Sequence, residues 1–564
     1  MDLRLVAAAG CTIAFLGLGC ASVFDLDRYS VGDSADAAPE SSKQDAPDAR
    51  VDGAARSDGA TSSQDAGDGG GYASPDAACT TNADCVVNAM GASADDGGSA
   101  TICVKATGQC AALQSVDCPG VYGDYSSDDA IIIGTYFATS GAAASLNLPR
   151  QQAALLAAME IDSPGAGGGL PPVTPQGGVR PLVVVQCDPS TDAMRTARHL
   201  VQDLHVPAII GPDADQDVID VTQNVSATDG TLLMTPSAQA STISTLSDSG
   251  LTMRDVPADD QRAALILDQL NQIQAMLLGP RGPLLKLGIV YRDDVTGQSV
   301  LSSISGTLRF NGQPITAPVN ATYVSVDHYD VASDVAAQTA IGVKYGGFDP
   351  DIVLVTAPEQ ITNVVIPLEQ SLTLSNTPKH PYYLFTEAAK VSALLSGIGQ
   401  PNVPADLPSR LRGIGVTPDA ASAQTFAAFD AAFTSAYGSN PGVPDMGTSY
   451  DAMYAIAYAI AATAGTPLSG PSIATGLSML GSGTAVSVGA AQASAALQSL
   501  ASGQSIALQG TFTAMQWAAN GDIAGGTLEV WCVGTSSGAP AFASSGRTMD
   551  VGTQAPSGAY SPCQ

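Results

Sequence analysis

From residue 129 onward, short unbroken apolar runs alternate with Ala- and Leu-rich stretches, and that rhythm restricts the chain to a layered α/β architecture. Residues 129–137 (DAIIIGTYF) read as a buried strand. A helix over 151–161 follows and stops at Ser163-Pro164-Gly165. The pattern then predicts strand 181–186, helix 192–204, strand 206–210, helix 217–227 and strand 230–234. Strands joined through helices at such intervals make a parallel, doubly wound sheet, whose ligands lie outside the carboxyl ends of the strands. Residues 138–141, 211–217 and 235–241 should therefore surround one crevice.

The chain ahead of this region has a different character. Arg4 precedes an apolar run over residues 5–18 that ends in Leu16-Gly17-Leu18-Gly19-Cys20. This reads as a secretory signal over residues 1–19, with Cys20 as the first mature residue and the lipid-attachment point of a membrane-anchored lipoprotein. An ordinary cleaved leader is the alternative. The apolar run is shorter than the roughly 20 residues that a spanning helix needs. Residues 20–78 then hold mostly Asp, Ala, Ser and Gly, with too little apolar surface to offset the entropy of ordering. The expectation is a disordered linker with an end-to-end distance of roughly 40 Å.

Cysteine usage fits export. Of 10 Cys, Cys11 lies in the leader and Cys20 is the expected anchor. The remaining eight, Cys79, Cys85, Cys103, Cys110, Cys118, Cys187, Cys532 and Cys563, form an even set suited to disulfides. Residues 79–118 read as a small Cys-rich segment, and two bridges among its first four cysteines would compensate for its meagre core. Zinc is the rival, but the segment has no C-x-x-C and no nearby His. The expected long-range pairs are Cys118–Cys187 and Cys532–Cys563, although sequence alone leaves connectivity open.

A net charge of −31 argues against nucleic acid and anionic membrane surfaces as partners. Catalytic motifs fail on context. Residues 534–538 match G-x-S-x-G, but a nucleophile elbow needs a helix after it and a later histidine, and the last histidine is His380. His199 and His205 are expected on the surface of one helix, outside any H-E-x-x-H pattern. Asp213, Asp215, Asp217 and Asp220 hint at a calcium loop, but Val218 stands where such a loop needs Gly and no Glu closes it. The reading is a non-enzyme without metal or cofactor.

Several of these residues, in order, resemble type I extracytoplasmic solute-binding proteins of the leucine/isoleucine/valine-binding kind. They are Ile133-Gly134, Ser140-Gly141, Asp188-Pro189, His199-Leu200-Val201, Ile209-Ile210-Gly211-Pro212, Met234-Thr235-Pro236-Ser237-Ala238 and Met253-Arg254-Asp255-Val256-Pro257. Residues 287–294, 349–355, 450–452, 512–517 and 529–531 continue the likeness, which spans about 125–535. The resemblance implies two doubly wound parallel-sheet lobes joined by three crossings, near Pro257, Gly415 and Gly526. One lobe would hold 119–256 and 416–525, and the other 257–415 and 526–564. It also implies a small-molecule ligand caught as the lobes close, for an ABC-type permease. The alternative is a surface-tethered sensor or adhesion lipoprotein that keeps the fold without transport.

Carried over by position, the resemblance makes Ser140, Leu146, Asp215, Thr235, Ala238, Pro358, Glu387 and Tyr450 the ligand-binding set. Asp215 stands where amino-acid binders offer a hydroxyl to the ligand carboxylate; capping the following helix is its other reading. Glu387 falls where an acid meets the ligand's amino group, or else is a solvated loop residue. Leu146 and Pro358 replace aromatic cover. Two acids without aromatic cover point to an amine-bearing, cationic or polyhydroxyl ligand.

Overall fold

The computed structural model describes residues 78–86, 100–174, 176–536 and 538–563; the leader, Cys20 and the linker lie outside them. The apolar runs become two sheets. In the first lobe the parallel strands Leu182–Cys187, Ile131–Tyr136, Ala208–Ile210, Leu232–Thr235 and Thr252–Arg254 lie in that spatial order. Gly120–Tyr122 adds an antiparallel edge beside Leu182–Cys187. In the second lobe Val324–Tyr329, Leu287–Arg292, Ile352–Val355, Tyr382–Phe385 and Leu411–Thr417 repeat the same winding. Strand order reverses once in each sheet, beside Ile131–Tyr136 and beside Leu287–Arg292, and those reversals open the crevices where such folds hold ligands.

The chain crosses between lobes three times: after Thr252–Arg254, after Leu411–Thr417, and before Thr527–Ser536. The helix Met446–Ala462, buried along nearly its whole length, returns to fill the core of the first lobe against Ala144–Ile161. After the third crossing, Thr527–Ser536 pairs antiparallel with Leu411–Thr417 and turns back into Ala539–Asp550. The serine of the G-x-S-x-G match, Ser536, thus ends one arm of a hairpin, where a nucleophile elbow would require a strand-to-helix turn.

Two helices differ from the sequence expectation, one in where it begins and one in how it continues. The first helix starts at Ala144 and carries Pro149 inside it. A proline there forfeits an intrahelical bond and normally marks a start, but Asn147 and Arg150 tie this turn to Asp213 and Asp445. The stretch 192–204 is an α-helix only over Ala193–Arg198, capped by the Asp192 carboxylate, and then widens over His199–Asp203. His199 is buried there, not on the surface, because the Leu113 carbonyl lies 3.0 Å from its Nε2.

Four disulfides close: Cys79–Cys103, Cys85–Cys110, Cys118–Cys187 and Cys532–Cys563. The Cys-rich segment is docked on the first lobe through Cys118–Cys187, through Asn82 Nδ2 donating to the Tyr125 and Ser127 carbonyls, and through a two-bond Arg195–Asp117 pair. Between this segment and the amino ends of the first-lobe strands lies a groove of about 500 Å³ lined by Lys105, Arg180, Val206 and Ser469.

In the second lobe Trp531 lies over Gly413 between Phe385 and Phe542. A Cβ on Gly413 would stand 1.9 Å from the indole ring. Gly413→Ala should therefore displace Trp531 and destabilise the fold by about 3 kcal/mol, measurable by denaturant titration followed through tryptophan fluorescence.

Candidate functional site

The carboxyl ends of both sheets face one another, and polar side chains from both lobes gather between them. On the first lobe, Arg150 Nη2 donates to Asp445 Oδ2 at 2.7 Å, Arg150 Nη1 donates to Asn147 Oδ1 at 3.0 Å, and Asn147 Nδ2 donates to Asp213 Oδ2 at 2.6 Å. On the facing side, Arg262 Nη1 donates to Glu387 Oε2 at 2.7 Å, and the Val416 N–H donates to Glu387 Oε1 at 2.8 Å. Burial raises the pKa of Asp445 to about 7, helped by the negative charge of Glu387 and opposed by Arg150 and Arg262.

The positions singled out from sequence divide. Asp215 is buried, and its carboxylate accepts from the Gln239 and Ala240 N–H groups and from the Thr296 hydroxyl of the second lobe. Thr235 Oγ1 donates to the Pro212 carbonyl and accepts from the Ala238 N–H, so it shapes its own loop. Ala238 is buried in a cluster with Val218 and Ile243, against which Val295 of the second lobe packs. Ser140, Leu146 and Pro358 keep partly open surface.

Two positions need a closer look. Tyr450 is turned into the first-lobe core, where its hydroxyl donates to Glu160 Oε2 at 2.5 Å and its ring meets Phe429. Glu387 is not a solvated loop acid; both its oxygens are engaged, by Arg262 and by the crossing strand. The acidic series 213–220 does not converge on one point either. Asp213 turns to Asn147, Asp215 to the 239–240 amides, and Asp220 accepts from Gln216.

Sequence reasoning missed Arg150, Asp259, Arg262 and Asp445. One signal was available: with only 22 Lys and Arg in the chain, Arg150 at the edge of the predicted helix 151–161 and Arg262 just beyond the expected crossing at Pro257 are conspicuous. Asp259 and Arg262 sit in the first turn of the helix Asp259–Leu277, immediately after the first crossing. The Asp259 carboxyl meets the Ser299 hydroxyl, while its Oδ2 and the Nη2 of Arg262 are buried with no hydrogen-bond partner of their own among the described residues. An unpartnered acceptor and an unpartnered donor one helical turn apart can both be satisfied by a small polar molecule.

Buried acids also set a pH response. Burial raises Asp162, Asp259, Asp445 and Asp451 to about 7 and Asp217 to about 6, from 3.8. Asp255 is pushed well above the ordinary range, by burial first and then by the neighbouring Asp451. Folded, these groups hold protons that the unfolded chain releases above about pH 4, so their contribution is complete below that pH and lost as pH rises towards 7. The melting temperature should fall by several degrees between pH 5 and pH 8. Asp451→Asn, which keeps an acceptor for the Thr511 N–H and hydroxyl, should flatten that fall in a calorimetric pH series.

No family model matches the sequence, and no curated protein matches it. Solved structures do. The branched-chain amino acid transporter substrate-binding protein LivJ from Streptococcus pneumoniae, in complex with isoleucine, aligns with TM-score 0.52 and 16% identity, over 74% of this chain and 99% of that one. A leucine-binding protein, LivK, from Thermotoga maritima aligns with TM-score 0.52 and 14% identity, over 73% and 98%. A possible leucine/isoleucine/valine-binding protein from Rhodopirellula baltica aligns with TM-score 0.51 and 16% identity, over 73% and 96%. At such identities the likeness is one of architecture, and it agrees with the winding of both sheets: the chain has the two-lobed α/β fold of type I periplasmic binding proteins.

Proposed function

We propose that this protein captures a small polar solute between its lobes, as the receptor component of an ABC-type transport system. The observation that carries this reading is the buried pair of unsatisfied groups, Asp259 Oδ2 and Arg262 Nη2, at the crossing where the strand ends of both lobes meet. Leaving such groups bare costs about 1–3 kcal/mol each, so a solute that accepts from the arginine and donates to the aspartate recovers that energy on binding. Hydroxyl and amide groups can do both, and an ammonium can donate to the aspartate. The solved relatives named for isoleucine or leucine support the capture mode, and Asp215 argues for a different ligand chemistry. We assign no catalytic role to any residue.

Four disulfides favour an oxidising, extracytoplasmic location. Among the described residues no helix is long and apolar enough to cross a membrane, and the proposed attachment is a lipid on Cys20. Replacing Cys20 by Ala should move the protein from the membrane fraction to the soluble fraction. The capture reading is tested by a thermal-shift screen of the oxidised protein against polyols, amines, amides, sugars and amino acids. At least one polyol, amine or amide should raise the midpoint by several degrees in the parent and by much less in Asp259→Ala. A screen in which no solute acts, or in which the hit survives that substitution unchanged, contradicts it.

A further inference from the structure

At one end of the cleft the chain supplies its own anion. Asp215 opens the helix Asp215–Val221 in the first lobe and is 4% exposed. Its Oδ1 accepts from two successive backbone groups, Gln239 N–H at 2.6 Å and Ala240 N–H at 2.8 Å. Its Oδ2 accepts from the hydroxyl of Thr296, 2.5 Å away, in the first turn of the second-lobe helix Val295–Ser305. Two convergent backbone amides and a hydroxyl are the donor set that a free carboxylate recruits. Here a side chain of the protein already fills it. The same contact is where the lobes touch: the Ser241 N–H donates to Ser299 Oγ at 2.9 Å, and Val295 covers the apolar patch of Val218, Ala238 and Ile243.

We propose that Asp215 is an internal stand-in for a ligand carboxylate, latching the second lobe onto the first and barring free carboxylates from this end of the cleft. The second half of this proposal rests on the capture reading above; the latch does not. A carboxylate brought to about 4 Å from Asp215 would meet repulsion equivalent to roughly a thousandfold in affinity. It would also compete for donors that are already satisfied. Removing the side chain should therefore do two things at once: release the second-lobe helix, and create a vacant site for a small carboxylate.

The test uses the full-length oxidised protein without any captured solute. In Asp215→Ala, amide hydrogen exchange over residues 295–305 should quicken by about tenfold, the effect of losing a hydrogen bond to a charged group. Millimolar formate or acetate should restore slow exchange in that variant and leave the parent unchanged. Thr296→Val removes only the Thr296–Asp215 bond and leaves the Ser241–Ser299 bond and the two amide bonds to Asp215 in place. It should speed exchange over 295–305 while Gln239 and Ala240 stay protected, which separates a latch from general loosening of the first lobe. Unchanged exchange over 295–305 in both variants would overturn the latch. Acetate that stabilises the parent as strongly as Asp215→Ala would overturn the internal-anion reading. Because no solute enters these measurements, their failure leaves the capture reading standing, and failure of the solute screen leaves the latch standing.

Discussion

Arg254→Met should destabilise the protein by about 3–5 kcal/mol, the cost of stripping one partner from a buried ion pair. Arg254 is fully buried at the end of the last parallel strand of the first lobe. Its Nε and Nη2 both donate to Asp522 Oδ1, its Nη1 donates to the Ala240 carbonyl at 2.9 Å, and its Nη2 also reaches Ser244 Oγ. Asp522 lies just before the third crossing, so the pair clamps the first crossing to the third, 268 residues apart in sequence. The clamp also holds the 240–244 loop that presents the Asp215 amides. Methionine would fill much of the volume and leave Asp522 buried without its cation. The double variant Arg254→Met/Asp522→Leu should recover part of the loss, because the bare charge goes with its partner. Urea unfolding of the four-member cycle measures both effects, and a double variant as unstable as the sum of the singles would show that packing, not charge, dominates the site.

Arg410→Met should have an effect of similar size, about 3–5 kcal/mol, confined to the second lobe. Arg410 binds both oxygens of Glu369 at 2.7 Å, and Glu369 is completely buried. The remaining partners of that carboxylate are the Tyr383 hydroxyl at 2.8 Å and His380 Nδ1 at 2.7 Å. Without Arg410 the carboxylate keeps two hydrogen bonds and loses its permanent cation. Hydrogen exchange should show the opening in strand Tyr382–Phe385 and helix Ile366–Leu374 while the strands of the first lobe keep their protection. Equal loss of protection in both lobes would mean that the molecule unfolds as one cooperative unit.

What sequence made legible was the winding of the sheets, since buried parallel strands leave unbroken apolar runs. Predicted strand 181–186 is Leu182–Cys187, and 230–234 is Leu232–Thr235. The antiparallel extension of the second sheet was not legible. Ala539–Asp550 is largely half-exposed, rich in Ser and Ala, and carries Pro540 where the strand has a partner on one side only. It reads as a tail until Thr527–Ser536 pairs with it.

The candidate site was half visible for a similar reason. Asp215 and Glu387 stand out as acids at strand ends, but their partners come from far along the chain. Thr296 is 81 residues from Asp215, and Arg262 is 125 residues from Glu387. Local pattern carries no information on such contacts, so an acid that looks available to a ligand can be one whose oxygens are already engaged. Asp259 and Arg262 escaped notice because they occupy a first helical turn, where Asp is an ordinary occupant.

The measurement that bears most directly on the account is hydrogen exchange of the full-length protein with and without the solute that stabilises it most in the thermal screen. Capture between the lobes predicts added protection on both sides of the cleft together, at residues 138–141 and 236–241 of the first lobe and at 259–262 and 386–390 along the second. Protection confined to 102–106 and 204–207, the walls of the groove beneath the Cys-rich segment, would place the solute outside the cleft and contradict the account.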